Sequence, residues 1–203
     1  MTSVPEPDLR AELLHRRDRE QRARFAYLDA RDRGEDPDWA PVQAIDEDNL
    51  AFLVEVIGRH GWLGSDLVGA EGASACWLLV QHAPLEYQDA WLPLLEQVVR
   101  AGLADPGQLV YLQDRVNMRH GRPQTHGSQS WGTGWGEVRL WPVTNPATLN
   151  ARRAEVGLPP LDDETIVSAW TPDQLCEHGC PFEKGSPDDP VSRHSKPAEA
   201  VVD

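Results

Sequence analysis

Gln81 and His82 end an otherwise apolar run, CWLLVQHA. A helix read through that run places His82 at its C-terminus, near a buried side marked by Trp77, Leu78 and Val80. The carbonyls at a helix C-terminus favour imidazolium, and a histidine that exchanges a proton near neutrality suits a general acid or base. The same histidine could instead simply bond a terminal carbonyl. Asp114 and Arg115 lie in LVYLQDRVNM, where Leu109, Leu112 and Val116 define an apolar face. Charges that border a core need partners. Either they belong to a buried ion pair, with Glu20 or Arg24 of the first helix, or they do chemistry. In the second case Arg115 binds a substrate carboxylate or phosphate bidentately and Asp114 orients a histidine.

Arg122–Trp141, RPQTHGSQSWGTGWGEVRLW, differs from its surroundings, with four glycines, two glutamines, one histidine and three tryptophans. The glycines free the backbone for left-handed turns. Gln124 and Gln129 can each donate and accept, which suits recognition of amides and carbonyls. With His126 and Trp131 they could wall or cover a pocket, and Trp62 could add to its apolar surface. The alternative is a structured loop held by its own tryptophans.

Metal chemistry is a weaker reading. His60, His82, His120 and His126 could act as ligands, but no pair has i,i+4 spacing and no acid joins them in a metal motif. No metal is assigned on this basis. His60, before Gly61, reads as a cap. Cys76 sits among apolar residues as a packed thiol, and CEHGC (Cys176–Cys180) lacks a second ligand pair. There is no nucleophile elbow, phosphate loop or dinucleotide glycine pattern, so no organic cofactor is expected.

The elements that must position these residues are mostly helical. A charged helix spans about 8–33, with Leu9, Leu13, Phe25 and Leu28 on a stripe broken around Arg17 and Gln21. A second is expected from an N-cap at Asp46 to Gly61, burying Leu50, Leu53, Val54 and Ile57. A third ends before Pro84, a fourth contains Pro93, where a bend is expected, and a fifth runs from Asp105-Pro106 to Gly121. EVRLWPV can form a short strand, and a last helix starts at Asn145-Pro146. The predicted organisation is a charged helix and linker (1–44), a helical core domain (45–158) and a proline-rich acidic tail (159–203) that is largely disordered. The fold class is mainly α: a compact domain of five to six helices with one Gly/Trp-rich loop and a possible short strand.

A formal charge of −14, from 33 acidic and 19 basic residues, disfavours nucleic acid and anionic membranes. Three cysteines, an N-terminus without a signal-like apolar run and no spanning segment make the cytoplasm the expected location. The sequence leaves the oligomeric state open.

HGWLG, WLLVQHA, YLQDRV and GRPQTHGSQ occur in this order. Together they resemble a set of uncharacterised bacterial helical proteins classed as a domain of unknown function. Its members carry HGWPG, WLLxQHA, YLxDRV and GxxQxYGTQ. An upstream acid-Gln with a following Arg is similar to Glu20, Gln21 and Arg24, which adds Gln21 and Arg24 to the binding candidates. The resemblance covers about residues 9–160 and departs at Leu63, His126 and Ser128, where Pro, Tyr and Thr are usual. It implies no activity.

The residues themselves suggest a small cofactor-independent enzyme acting on a small-molecule or peptide-like ligand by hydrolysis, elimination or isomerisation. His82, Asp114 and Arg115 would be catalytic. Gln21, Arg24, Gln81, Gln124, His126, Gln129, Trp62 and Trp131 would bind substrate. The rival readings are an interaction module that docks a partner on the Trp-rich loop and a metal-dependent enzyme working through its histidines.

Overall fold

The computed structural model describes residues 4–132 and 138–177. Among these the chain is mainly helical, with eight α-helices and one small two-stranded antiparallel sheet. None of the described helices is long and apolar enough to cross a membrane. The chain divides between Asp105 and Pro106 into two compact units.

The first unit contains α1 (Pro7–Asp32), α2 (Ala40–His60), α3 (Ser65–Val80) and α4 (Leu85–Arg100). α2 begins six residues before Asp46, at Ala40. Asp38 Oδ1 accepts the Ala40 N–H at 2.9 Å, and Pro41 sits in the first turn, where a missing N–H costs nothing. Asp46 is therefore a side chain inside the helix, free to act elsewhere, rather than its cap. The buried face of α2 is Val42, Asn49, Leu53, Val56 and Ile57. Val54, expected inside, is 43% exposed, because Val56 and Ile57 take the inward positions. Phe25 of α1 is likewise outside. In α3 Leu79 and Val80 are buried, whereas Trp77 and Leu78 are only partly so.

α1 packs against α3, and small residues allow the approach. Gly69 breaks α3 with φ +72°, so Ser65–Val68 forms a separate first turn. A Cβ on Gly69 would lie 3.1 Å from Val4 Cγ1, and one on Gly72 would lie 3.3 Å from Arg10 Cγ. α4 runs through Pro93.

The second unit contains α5 (Pro106–Arg119), β1 (Ser130–Gly132), β2 (Val138–Leu140), a 3-10 turn (Pro146–Thr148), α6 (Leu149–Glu155), α7 (Asp163–Val167) and α8 (Pro172–Glu177). The strand expected in EVRLWPV is β2, and Trp131 faces Arg139 in the pairing. Asn145 takes φ +46° and makes no side-chain cap, and the α-helix starts four residues later at Leu149. The helix count exceeds the five or six expected because ordered chain continues past Pro159 as α7 and α8. Trp170 and Leu175 from this stretch join Met118, Trp131 and Trp141 in one buried cluster. Trp131 and Trp170 meet edge to face at 5.5 Å, and Trp170 Nε1 donates to the Trp131 carbonyl at 2.8 Å. Trp135, Cys180 and the tail from residue 178 lie outside the described residues.

Gly69→Ala forces a side chain into left-handed backbone beside Val4, a cost of about 1–2 kcal/mol. Thermal unfolding should register it as a clear drop in Tm, with Gly34→Ala, whose added Cβ meets nothing within 4 Å, as the control for φ strain alone.

Candidate functional site

The break in the apolar stripe of α1 is where the site lies. The residues that turn inward there are Glu20 and Arg24, 0% and 4% exposed. A buried carboxylate requires compensation from several donors at once. Glu20 obtains it from three side chains. Its Oε1 accepts from Arg24 Nε one helical turn on and faces His82 Nδ1 at 3.0 Å. Its Oε2 accepts from Gln21 Nε2 at 2.6 Å. Arg24 extends the network, with Nη2 donating to both Asp46 oxygens at 2.9 and 3.0 Å. Its guanidinium also lies 5.2 Å from the Trp39 ring centre, within cation–π range.

His82 is delivered by the turn that follows α3. The side chain of Gln88, itself fully buried, fixes that turn. Gln88 Nε2 donates to the carbonyls of Val80, Gln81 and Ala83 at 3.3, 3.0 and 3.0 Å, taking up the open end of the helix. The capping of the α3 carbonyls thus falls to Gln88, and the His82 ring is left for Glu20. Nδ1 is sealed from solvent, yet 18% of the side chain is exposed, so the exposed part of the side chain lies away from Nδ1.

The two carboxylates titrate in opposite directions. Burial alone would raise the Glu20 pKa, but hydrogen bonding and charge from His82 and Arg24 outweigh it and bring the value down to about 2. Asp46 is pushed up, because its burial outweighs the pull of Arg24 and His82, and the neighbouring Glu20 charge adds to the rise. One group is a fixed anion, while the other holds its proton more readily. Glu20, Asp46 and His82 each offer a metal-ligating atom, and these atoms all lie within 4.8 Å of one another. Among the described residues no other group of three has this spacing.

Asp114 has a different task. Buried at 0% exposure in α5, it accepts the backbone N–H groups of Thr125, His126 and Ser128 at 2.7, 3.0 and 3.2 Å and the Ser128 hydroxyl at 3.0 Å. Two arginines of α6 bind the same loop from its carbonyl side. Arg152 Nε donates to Thr125 O at 2.9 Å, and Arg153 Nη1 to His126 O at 2.7 Å. Gln124, also fully buried, donates to the carbonyls of Gln129 and Trp141 and accepts the Gln129 N–H, all at 2.8 Å. Loop 124–129 is thus tied through its own backbone at both edges.

The sequence candidates therefore divide. His82, Gln21 and Arg24 come together around Glu20. Asp114 and Gln124 spend their polar atoms on the loop, and Gln129 Nε2 bonds the carbonyl and hydroxyl of Ser128. Glu20, not Asp114, faces His82 Nδ1. Trp62 and Trp131 are core side chains, 5% and 6% exposed, and Gln81 is buried. Arg115 is partly buried on α5, and His126 is partly exposed with burial depressing its pKa. Sequence reasoning missed Asp46 as a site residue because it read the side chain as a cap. It missed Gln88 because an amide four residues after Pro84 carries no motif. For Glu20 a signal did exist: an acid and an arginine at i,i+4 on the stripe that α1 turns inward.

Two expectations follow. Glu20 has a pKa below its ordinary 4.5, so it stabilises the fold fully above about pH 4.5 and progressively less toward pH 2, by about 3 kcal/mol in all. Denaturant unfolding should show that acid slope in the wild type, and a shallower one in Glu20→Gln. Gln124→Ala leaves two carbonyls and one N–H without their partner, and should cost on the order of 3 kcal/mol in the same assay.

Comparison with known proteins adds a family but no activity. Neither the curated proteins nor the solved structures contain a match. A family model does match, over residues 7–169, which takes in the side chains described above, from Glu20 to Arg153. The chain belongs to that family, the family of unknown function DUF6624.

Proposed function

We propose that the chain is a small enzyme that performs acid–base chemistry on a small-molecule or peptide-like substrate, without an organic cofactor. Hydrolysis, elimination and isomerisation all need a positioned group that takes and returns a proton. The observation that carries this reading is the Glu20 carboxylate, wholly buried and held ionised, 3.0 Å from Nδ1 of a histidine whose side chain is 18% exposed elsewhere. Glu20 takes the orienting role first considered for Asp114. It favours the tautomer with the proton on Nδ1, which leaves Nε2 to accept a substrate proton. Arg24 keeps Glu20 from moving and holds Asp46 beside it. Asp46, 22% exposed and with raised proton affinity, is the second group able to exchange a proton there. The formal charge of −14 favours a neutral or cationic substrate over a polyanion.

The interaction-module reading loses its main support. Trp131 and Trp141, two of the tryptophans that would have docked a partner, are core residues.

The test is a screen of purified protein against pools of small metabolites and short peptides, read by mass spectrometry. The wild type should convert at least one compound, and His82→Gln should lower that turnover by about 100-fold or more while its circular dichroism spectrum is unchanged. Equal turnover by wild type and His82→Gln would contradict the proposal.

A further inference from the structure

We propose that Glu20, Asp46 and His82 also form a binding site for a borderline divalent cation of the Zn²⁺ class, which competes with Arg24 for the two carboxylates. The inference uses the same residues as the acid–base reading but does not rest on it, since binding is measured without substrate.

Three helical segments converge here. α1 supplies one carboxylate, α2 another, and the turn after α3 an imidazole nitrogen, with ligating atoms mutually within 4.8 Å. Bonds of about 2.0–2.2 Å to a single ion would draw them only moderately closer. Two oxygens and one nitrogen form a donor set that suits Zn²⁺ or Co²⁺ better than Ca²⁺ or Mg²⁺, which prefer oxygen alone. Three protein ligands leave a fourth position for water or a small molecule. The nitrogen is suitably placed, since Nδ1 is sealed from solvent and lies 3.0 Å from a Glu20 carboxylate oxygen.

The charge balance favours a cation but limits its hold. With His82 neutral, Glu20 and Asp46 outweigh Arg24 by one negative charge. A dication must still loosen the guanidinium, which now bonds both carboxylates. Arg24 is the built-in competitor, so binding should be reversible rather than permanent. A cation on Nδ1 takes the lone pair that otherwise carries the proton facing Glu20. The bound cation and the Glu20–His82 pair are therefore alternative states of one nitrogen, and occupation would silence His82 as a proton carrier.

The test uses the full untagged chain after chelator treatment. Zn²⁺ is titrated by calorimetry, Co²⁺ is followed by its visible absorption, and Mg²⁺ serves as the control. The wild type should bind about one equivalent of Zn²⁺, show Co²⁺ bands of a nitrogen–oxygen site and give no Mg²⁺ heat at the same concentration. His82→Gln and Asp46→Asn, each checked for fold by circular dichroism, should weaken Zn²⁺ binding about tenfold or more. His82 and Asp46 are both partly exposed, so at least one variant should fold. Absence of saturable Zn²⁺ binding, or unchanged affinity in a folded variant, would overturn the proposal. Loss of His82-dependent turnover in metal-free protein would bear on the acid–base reading alone.

Discussion

A single buried carboxylate sets the terms for the first unit. Glu20 has no access to solvent, and an ionised carboxylate there is tolerable only with several donors aimed at it. Arg24 reaches it along the same helix, Gln21 from the adjacent position, and His82 from the turn after α3. Two of these donors involve another element. Arg24 in turn engages Asp46, which fixes the rotation of α2, and His82 can face Glu20 only while Gln88 holds its turn. The resulting network joins α1, α2 and α3 by charge at the place where the apolar packing of α1 is interrupted.

The second unit uses the same device for a different end. Asp114 is equally buried, but its partners are backbone N–H groups of one short loop. A carboxylate satisfied by backbone donors organises chain and has little capacity left for chemistry. A carboxylate satisfied by a histidine and an arginine leaves those side chains poised. The partners of the two acids, rather than their burial, distinguish scaffold from candidate site.

The sequence made the helices legible because their caps and breakers are local: Pro84, Gly61 with its positive φ, and the Asp105-Pro106 pair all mark boundaries without tertiary information. His82 was legible for the same reason, as a polar residue ending an apolar run. Asp46 was not, because Asp38 and Pro41 start α2 earlier than the N-cap preference of Asp46 suggested. Glu20 and Arg24 looked like an ordinary helical ion pair, and only the packing of α1 shows which face turns inward. Trp170 and Leu175 lie in a stretch without hydrophobic periodicity, where two anchors, one between α7 and α8 and one within α8, leave no repeating pattern to detect.

The account stands on the orientation of one imidazole. Long-range proton–nitrogen correlation spectra of metal-free protein, labelled at histidine and assigned with His82→Gln, report which ring nitrogen carries the proton in the neutral form. A Glu20–His82 acid–base pair predicts protonated Nδ1 and bare Nε2 for His82, with that preference lost in Glu20→Gln. A neutral His82 with its proton on Nε2 and a bare Nδ1 would contradict the account, because Nε2, the nitrogen proposed to take the substrate proton, would then be unable to accept one.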